Sequence, residues 1–283
     1  MNWRTEKKKV LQKQKRLKKN KIMPDNYETF KKEYLHLTGI DLNFYKENQM
    51  KRRIDNFISK HPVSGYCEFL ELLKQNSKIY DDFITHLTIN VSEFYRNPAQ
   101  WQTLENEILP QLLNKFQTPL KIWSAACSTG DEPYSLAMAF SKHMPLSDIR
   151  ILATDIDKQV IQHAQVGLYG EKSIVGVPDD LKKKYFTKVG NSYQIADEIK
   201  RCVTFKEHNL LKDTYPSDYD LILCRNVVIY FTDEAKDMIY RNFYNSLKNH
   251  GVLFIGSTEQ ITNYKQIGFE RMSSFYFEKN LDK

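Results

Sequence analysis

Two adjacent carboxylates near the middle of the chain are the first residues that could take part in ligand chemistry. Asp131 and Glu132 follow a turn of small residues at 124–130, and the turn follows an apolar run at 120–123. Apolar residues at helical spacing then continue to Phe140. Strand, turn and helix in this order open a doubly wound α/β fold, in which ligands bind at the carboxyl ends of the strands.

The turn does not carry the glycines of a phosphate-binding loop. Only Gly130 is present, and Asp131 and Glu132 stand where a phosphate would meet the start of the helix. We therefore interpret the turn as a site for a cationic ligand without phosphate, and S-adenosylmethionine fits that description. The alternative is an ordinary helix start, because acidic residues are favoured in a first helical turn.

Further polar residues follow the next strands along the chain. Asp155 ends an apolar run at 149–155, where this fold holds a ribose diol, although Asp155 or Asp157 could equally cap the next helix. Asn209 follows a strand pattern and could pair with the edge of an adenine. Arg225 and Asn226 follow a buried strand pattern at 219–224, which is a poor place for purely structural residues.

A cluster of polar residues precedes the central strand. Asn90, Ser92 and Arg96 lie among aromatic residues and should be partly buried, so they need partners. An arginine in such a place can bind a carboxylate through two hydrogen bonds. The alternative is a capping and linker segment. Tyr230, after the 219–224 strand, could bond a substrate or simply pack.

The first part of the chain has only helical periodicity, which predicts a separate all-helical domain at 24–92. A helix predicted at 44–60 places Lys46, Arg53 and Lys60 on one line beside its apolar stripe. Either this line is a solvated basic face or it is a docking surface for an acidic partner.

The remainder, 93–283, alternates strands and helices and predicts an α/β fold with a parallel sheet. Residues 168–205 break the rhythm and predict a small inserted β-lobe. The four cysteines show no paired spacing, so we expect reduced thiols, no metal site and a cytoplasmic protein. No apolar run has the length of a membrane span, and 1–21 has no secretory pattern, so we expect no membrane insertion.

Basic residues are concentrated at the beginning. Residues 1–21 contain ten Lys and Arg and one Glu, so this segment carries +9 of a chain total of +7 and the rest carries −2. We interpret 1–22 as a disordered, solvated extension, or as sequence preceding a true start at Met23. A nucleic-acid-binding tail is the alternative, and we do not expect nucleic acid as the substrate.

Taken together, these residues resemble the CheR-type chemotaxis receptor methyltransferases over roughly 24–283. The matching segments are TINVSEFYRN (88–97), IWSAACSTGDEPYSLA (122–137), ILATDID (151–157), HNLL (208–211), CRNVVIYF (224–231) and LFIGSTE (253–259). The resemblance implies a Rossmann-like class I methyltransferase domain with an inserted lobe, preceded by the helical domain. It also implies methyl transfer from S-adenosylmethionine to glutamates on the cytoplasmic helices of chemoreceptors, forming methyl esters, by an enzyme that we expect to be a monomer.

The resemblance also implies roles for individual residues. Arg53 and Tyr230 stand where the family brings groups to the reacting centre. Lys46, Arg53 and Lys60 would dock the substrate. The residues implied to contact the cofactor are Asn90, Ser92, Arg96, Glu132, Asp155, Asn209, Leu210, Arg225 and Asn226.

Two other readings stay open at this point. One is an RNA or small-molecule methyltransferase with the same cofactor half, favoured by the basic extension. The other is a non-enzymatic adaptor that binds S-adenosylmethionine, which the presence of Arg53, Arg96 and Tyr230 argues against.

Overall fold

The computed structural model describes residues 24–116 and 119–282. The basic extension at 1–22 lies outside these residues, so its role stays a prediction. Helices come first, and an α/β unit follows. Within the described chain, no helix combines the length and apolarity needed to cross a bilayer.

The helices have clear start and stop signals. For example, the Asn26 side chain accepts a hydrogen bond from the Thr29 amide at the start of the first helix, and Gly39 ends it at φ 74°. The helices are α1 (Tyr27–Thr38), α2 (Glu47–Ile58), α3 (Tyr66–Gln75), α4 (Ser77–Leu87), α5 (Pro98–Thr103), α6 (Leu109–Lys115), α7 (Asp131–Phe140), α8 (Lys158–Val166), α9 (Asp179–Tyr185), α10 (Asp197–Lys200), α11 (Asp233–Ser246) and α12 (Tyr264–Ile267). A short π-helical segment, Leu104–Ile108, joins α5 to α6.

Helices α1–α4 pack around an aromatic core. Phe30, Tyr34, Phe69 and Phe83 are all fully buried, and the Phe69 and Phe83 rings meet edge to face at 4.9 Å. Rings in this arrangement attract one another beyond the effect of area burial. This core lies apart from the sheet, as expected for a separate helical unit. The exact domain boundaries stay a prediction.

Helix α2 is shorter than the 44–60 helix predicted from sequence. Lys46 precedes it in extended conformation (ψ 107°), because the Lys46 amide donates to the Tyr230 carbonyl at 3.0 Å. Lys60 follows the helix in a turn before the His61-Pro62 pair. Of the three predicted docking cations, only Arg53 therefore lies on α2.

The strands form two sheets. They are β1 (Lys121–Ala125), β2 (Arg150–Asp155), β3 (Leu168–Gly170), β4 (Phe186–Val189), β5 (Ser192–Ile195), β6 (Val203–Glu207), β7 (Tyr219–Cys224), β8 (Leu247–Ile255), β9 (Phe269–Arg271) and β10 (Tyr276–Lys279). The larger sheet has the order β6-β2-β1-β7-β8-β10-β9, parallel through β8 and antiparallel beyond it. The predicted α/β class with a methyltransferase-type sheet is confirmed.

The smaller sheet, in the order β3-β5-β4, forms the inserted lobe. It is joined to the central turn by Tyr169, whose hydroxyl donates to the Thr129 carbonyl at 2.7 Å. Strand β6, whose first residues we assigned to the lobe, instead pairs in parallel with β2 at the edge of the main sheet. A short apolar run has the same appearance in either sheet, so the sequence could not decide between them.

Two junctions hold the helical unit against the sheet. At the first, Asp157 caps α8 by accepting from the Gln159 backbone amide at 2.8 Å, and its other oxygen accepts from the side-chain NH₂ group of Asn90 at 2.8 Å. At the second, the Lys46 amide meets the Tyr230 carbonyl, and the Thr232 amide donates to the Phe44 carbonyl at 2.9 Å.

Replacing Asp157 by Ala should therefore remove a helix cap and an inter-unit hydrogen bond together. We expect the free energy of unfolding to fall by about 2–3 kcal/mol, measured by urea denaturation. The matched control is Asn76→Ala, which removes only the cap that accepts from the Ile79 amide and should cost about 1 kcal/mol. Equal losses in the two variants would show that the contacts of Asp157 with the Asn90 side chain and the Thr88 hydroxyl contribute nothing.

Candidate functional site

A cleft opens above the carboxyl ends of β1, β2 and β7, between the sheet and the helical unit. It measures about 1040 Å³ including its open mouth. All nine residues that the sequence assigned to cofactor binding line it, and Tyr230 lines it as well. Those nine are Asn90, Ser92, Arg96, Glu132, Asp155, Asn209, Leu210, Arg225 and Asn226.

The walls of the cleft are turns with unusual backbone angles. Ile89, Ala126, Ser128 and Asn226 all have positive φ, from 44° to 61°. Non-glycine residues in this region carry strain, which persists only where the surroundings fix the backbone. Such strain is typical of functional sites and agrees with the predicted location.

Glu259 fixes the Asn226 turn. One of its oxygens accepts from the Val227 and Val228 amides at 2.8 and 3.2 Å, and the other accepts from the Gly256 amide. A Cβ at Gly256 would lie 2.4 Å from the Glu259 carboxylate and 2.9 Å from the Asn226 nitrogen, so a glycine is required there. Glu259 is the last residue of the family-like segment at 253–259, but its place in the sequence predicted no role for it.

Asp155 is the buried carboxylate at the end of β2. One of its oxygens accepts from the Ser128 amide at 2.8 Å, and the other accepts from the Asp157 amide at 3.0 Å. Burial raises the pKa of Asp155 to about 6, against the lowering effect of these amides. Each oxygen still has a lone pair that can accept from a ligand hydroxyl.

Glu132 lies in the cleft wall, whereas Asp131 does not. The Glu132 carboxylate accepts from the Ser124 hydroxyl at 2.8 Å and pairs with Arg225 at 3.3 Å, and burial raises the pKa of Glu132. Asp131 is fully buried and bonds to the Thr129 hydroxyl. Of the two carboxylates singled out in the sequence, only Glu132 can face a ligand.

Arg225 lines the cleft, but most of its donors point to protein groups. Besides Glu132, it donates to the Arg96 carbonyl at 2.8 Å and to the Gln100 side chain at 2.6 Å. Its guanidinium also lies 4.6 Å from the centroid of the Phe254 ring. The geometry thus makes Arg225 the group that holds the 96–100 segment against the sheet.

The linker between the two units supplies the next wall. The side-chain NH₂ group of Asn90 donates to Asp157, and the side-chain oxygen of Asn90 lies 3.5 Å from the Ser128 hydroxyl. Ser92 is half-buried at the cleft, and Arg96 there donates to the Val91 carbonyl at 3.1 Å. The guanidinium of Arg96 retains further N–H groups for a carboxylate.

Asn209 and Leu210 close the side beyond β6. The Asn209 side-chain oxygen accepts from the Leu211 amide at 2.9 Å, which leaves its NH₂ group to donate. His208 is buried, and its ring meets Trp123 edge to face at 5.4 Å. Burial lowers the pKa of His208, so its ring is neutral at neutral pH.

The two residues predicted to be catalytic, Arg53 and Tyr230, differ in their position relative to the cleft. Tyr230 lines the cleft, whereas Arg53 stands outside its wall. Arg53 donates to the His86 carbonyl, is within electrostatic range of Tyr230, and has an Nε group without a hydrogen-bond partner among the described residues. Burial lowers the pKa of Arg53. Lys46 is exposed next to Tyr230 through the backbone bond, and Lys60 is exposed beyond the end of α2.

Tyr45 also reaches the cleft, from the helical unit, and was not predicted from the sequence. No role was predicted for Ser128, whose backbone amide donates to Asp155. The position of Ser128 in the central turn was a usable signal. Tyr45 carried none, because its place depends on a pairing with residues more than 180 positions away.

The donor set fits S-adenosylmethionine. Carboxylates (Glu132 and Asp155) suit an ammonium group and ribose hydroxyls, and Leu210 with Ile156 offers apolar surface to a base. The first turn of α7 carries two acidic side chains, buried Asp131 and partly buried Glu132, which oppose a phosphate at that helix start. The orphaned Asp131 oxygen adds to this opposition.

Comparisons with known proteins agree with this assignment. Residues 25–88 match the family model described as "CheR methyltransferase, all-alpha domain", and 90–276 match "CheR methyltransferase, SAM binding domain". A chemotaxis protein methyltransferase of Listeria innocua is 41% identical over 91% of this chain and 100% of its own length. Proteins named chemotaxis protein methyltransferase from Borreliella burgdorferi and chemotaxis protein methyltransferase 2 from Vibrio cholerae are 31% and 30% identical, over 82% and 90% of this chain and 86% and 93% of theirs.

The raised pKa of Asp155 gives a pH prediction. Below pH of about 6 this carboxyl becomes protonated, and the predicted hydrogen bond from a ribose hydroxyl should then weaken. The affinity for S-adenosylhomocysteine, measured by calorimetry, should therefore fall by about 3–10-fold between pH 7.5 and 5. In Asp155→Asn the affinity should be lower throughout and its pH dependence flatter. An unchanged pH profile in that variant would assign the titration to another group.

The raised pKa of Asp155 also predicts how the free energy of unfolding depends on pH. The pKa of Asp155 is raised on folding from an ordinary value near 4. Its contribution to the free energy of unfolding is therefore fully present below about pH 4 and is lost as the pH rises through about 6.

Proposed function

The chain belongs to the CheR methyltransferase family, and we propose that it methylates the side-chain carboxylates of glutamates on the cytoplasmic helices of chemoreceptors. It is a methyltransferase that uses S-adenosylmethionine as the methyl donor. The observation that carries the proposal is the cleft itself. Its carboxylates suit a cationic donor, and cations of the helical unit stand beside Tyr230 at its mouth.

A carboxylate acceptor does not require a general base in the cleft. A glutamate carboxylate has a reference pKa of about 4.3 and is a nucleophile at neutral pH without a general base. The bound donor supplies a methyl group on a positively charged sulfur. The task of the protein is then to bring an ionised oxygen and that methyl group together, which is catalysis by proximity and orientation.

We assign the orienting roles to Arg53 and Tyr230. Arg53 is half-buried beside the cleft, and its guanidinium has N–H groups left over after the bond to the His86 carbonyl, with which we propose that it holds a carboxylate approaching Tyr230. Tyr230 lines the same cleft, and we propose that its hydroxyl positions the sulfur end of the donor. Lys46 is proposed to attract an acidic partner from the adjoining surface, and Lys60 to do so from the far end of α2.

The partner is proposed from the relatives, whose names place them in chemotaxis. Chemoreceptor helices would present their glutamates to a cytoplasmic monomer. An RNA substrate would rest on the basic extension at 1–22, and a protein beginning at Met23 separates the two proposals. Unchanged methylation of receptor helices by that shorter protein would favour the receptor.

The decisive experiment is transfer of a radiolabelled methyl group to membranes that contain the organism's own chemoreceptors. Label should appear in the receptor band and should be released as methanol by mild alkali, because carboxylate esters hydrolyse there whereas methylated amines do not. Receptors with their acceptor glutamates replaced by alanine are the control. Alkali-stable label, or label in RNA, would contradict the proposal.

The role of Arg53 is tested by Arg53→Ala. We expect methyl transfer to fall on the order of 100-fold, since a misplaced acceptor loses orientation, while the affinity for S-adenosylhomocysteine stays within about twofold. Transfer kinetics and calorimetry check the two parts. The control is Arg52→Ala, an exposed neighbour on the same helix that should change neither. Parallel loss of transfer and of cofactor affinity in Arg53→Ala would refute the assigned role.

A further inference from the structure

Tyr45 reaches the cleft from the helical unit, as do Leu87 and Thr88 at the end of α4. It precedes α2 and forms an antiparallel backbone bridge with Phe231, which follows Tyr230. The flanking bonds, from the Lys46 amide to the Tyr230 carbonyl and from the Thr232 amide to the Phe44 carbonyl, fix the backbone on both sides. The position of Tyr45 is thus set by both units.

The ring of Tyr45 is held as firmly as its backbone. It meets the Phe231 ring edge to face at 5.0 Å, and it packs against both the helical core and the core that contains Leu210. It lines the cleft together with Asp155 and Leu211. A tyrosine that only filled space here could equally well be a phenylalanine.

The hydroxyl group is what packing does not explain. It makes no hydrogen bond within residues 24–116 and 119–282, although neighbouring polar groups of the cleft are bonded. Burial raises the pKa of Tyr45, and the charge of Asp155 raises it further. The hydroxyl therefore remains protonated at neutral pH, and it lies within electrostatic range of the Asp155 carboxylate.

We propose that Tyr45 is a cofactor-positioning residue whose hydroxyl donates to the nucleoside half of S-adenosylmethionine beside Asp155. The inference deepens the proposed function and rests on the same cleft. Its consequence is that the nucleoside site is complete only when the helical unit is docked. The segment 44–46 then contacts the donor through Tyr45 and binds the Tyr230 carbonyl through the Lys46 backbone amide.

The test is Tyr45→Phe, which keeps the ring and removes only the hydroxyl. Affinities are measured by calorimetry for S-adenosylhomocysteine and for 5′-methylthioadenosine, which lacks the amino-acid half. We expect both affinities to fall by about 3–10-fold, as for one lost hydrogen bond, with the melting temperature of the free protein unchanged. The control is Tyr27→Phe, which removes a buried, unpartnered hydroxyl from the helical core and should change neither affinity.

Three results would overturn the inference. The first is unchanged affinity for both ligands. The second is a loss confined to S-adenosylhomocysteine, which would place the contact at the amino-acid half. The third is a lower melting temperature of the free Tyr45→Phe protein in step with the lost affinity, which would assign the hydroxyl to packing. No receptor enters these measurements, so failure of receptor methylation would leave the inference standing, and the reverse also holds.

Discussion

The structure depends on carboxylates that are buried at the carboxyl ends of the strands. A buried carboxylate must be given hydrogen bonds, and each one here takes them from a different wall of the cleft. Asp155 binds the Ser128 turn, Glu259 binds the turn at Asn226, and Glu132 holds Arg225. The need to satisfy these groups fixes turns that would otherwise relax, so the cleft is shaped before any ligand binds.

The same constraint ties the two units together. Asp157 both caps α8 and accepts from Asn90, so the linker is held by a group that the sheet needs anyway. The second junction uses backbone bonds at Phe44 and Lys46. Because both junctions border the cleft, the helical unit forms part of the wall of the cleft as well as standing at its mouth.

Local pattern was enough to predict much of this architecture. The strand–turn–helix at β1 and the acid at the end of β2 follow from periodicity and strand-end chemistry, and the structure brings Glu132 and Asp155 to one cleft. Local pattern failed where a distant partner decides. The extended conformation of Lys46, the pairing of β6 with β2, and the place of Tyr45 all depend on backbone bonds to residues far away in the chain. Strand-end chemistry also did not reveal that most donors of Arg225 serve the protein itself.

Charge gives a reason for building the proposed enzyme from two units. A cleft that holds Asp155 and Glu132 attracts a cationic donor, but the same charges oppose the approach of a glutamate carboxylate. On the proposed function, that opposition must be offset at the mouth, and the sheet unit's own Arg225 is committed to Glu132 and the 96–100 segment. Two cations of the helical unit are placed to offset this repulsion. Arg53 lies near Tyr230, and Lys46 is bonded to the Tyr230 carbonyl through its backbone amide. The division of charge between the units thus lets one cleft accept two ligands of opposite sign.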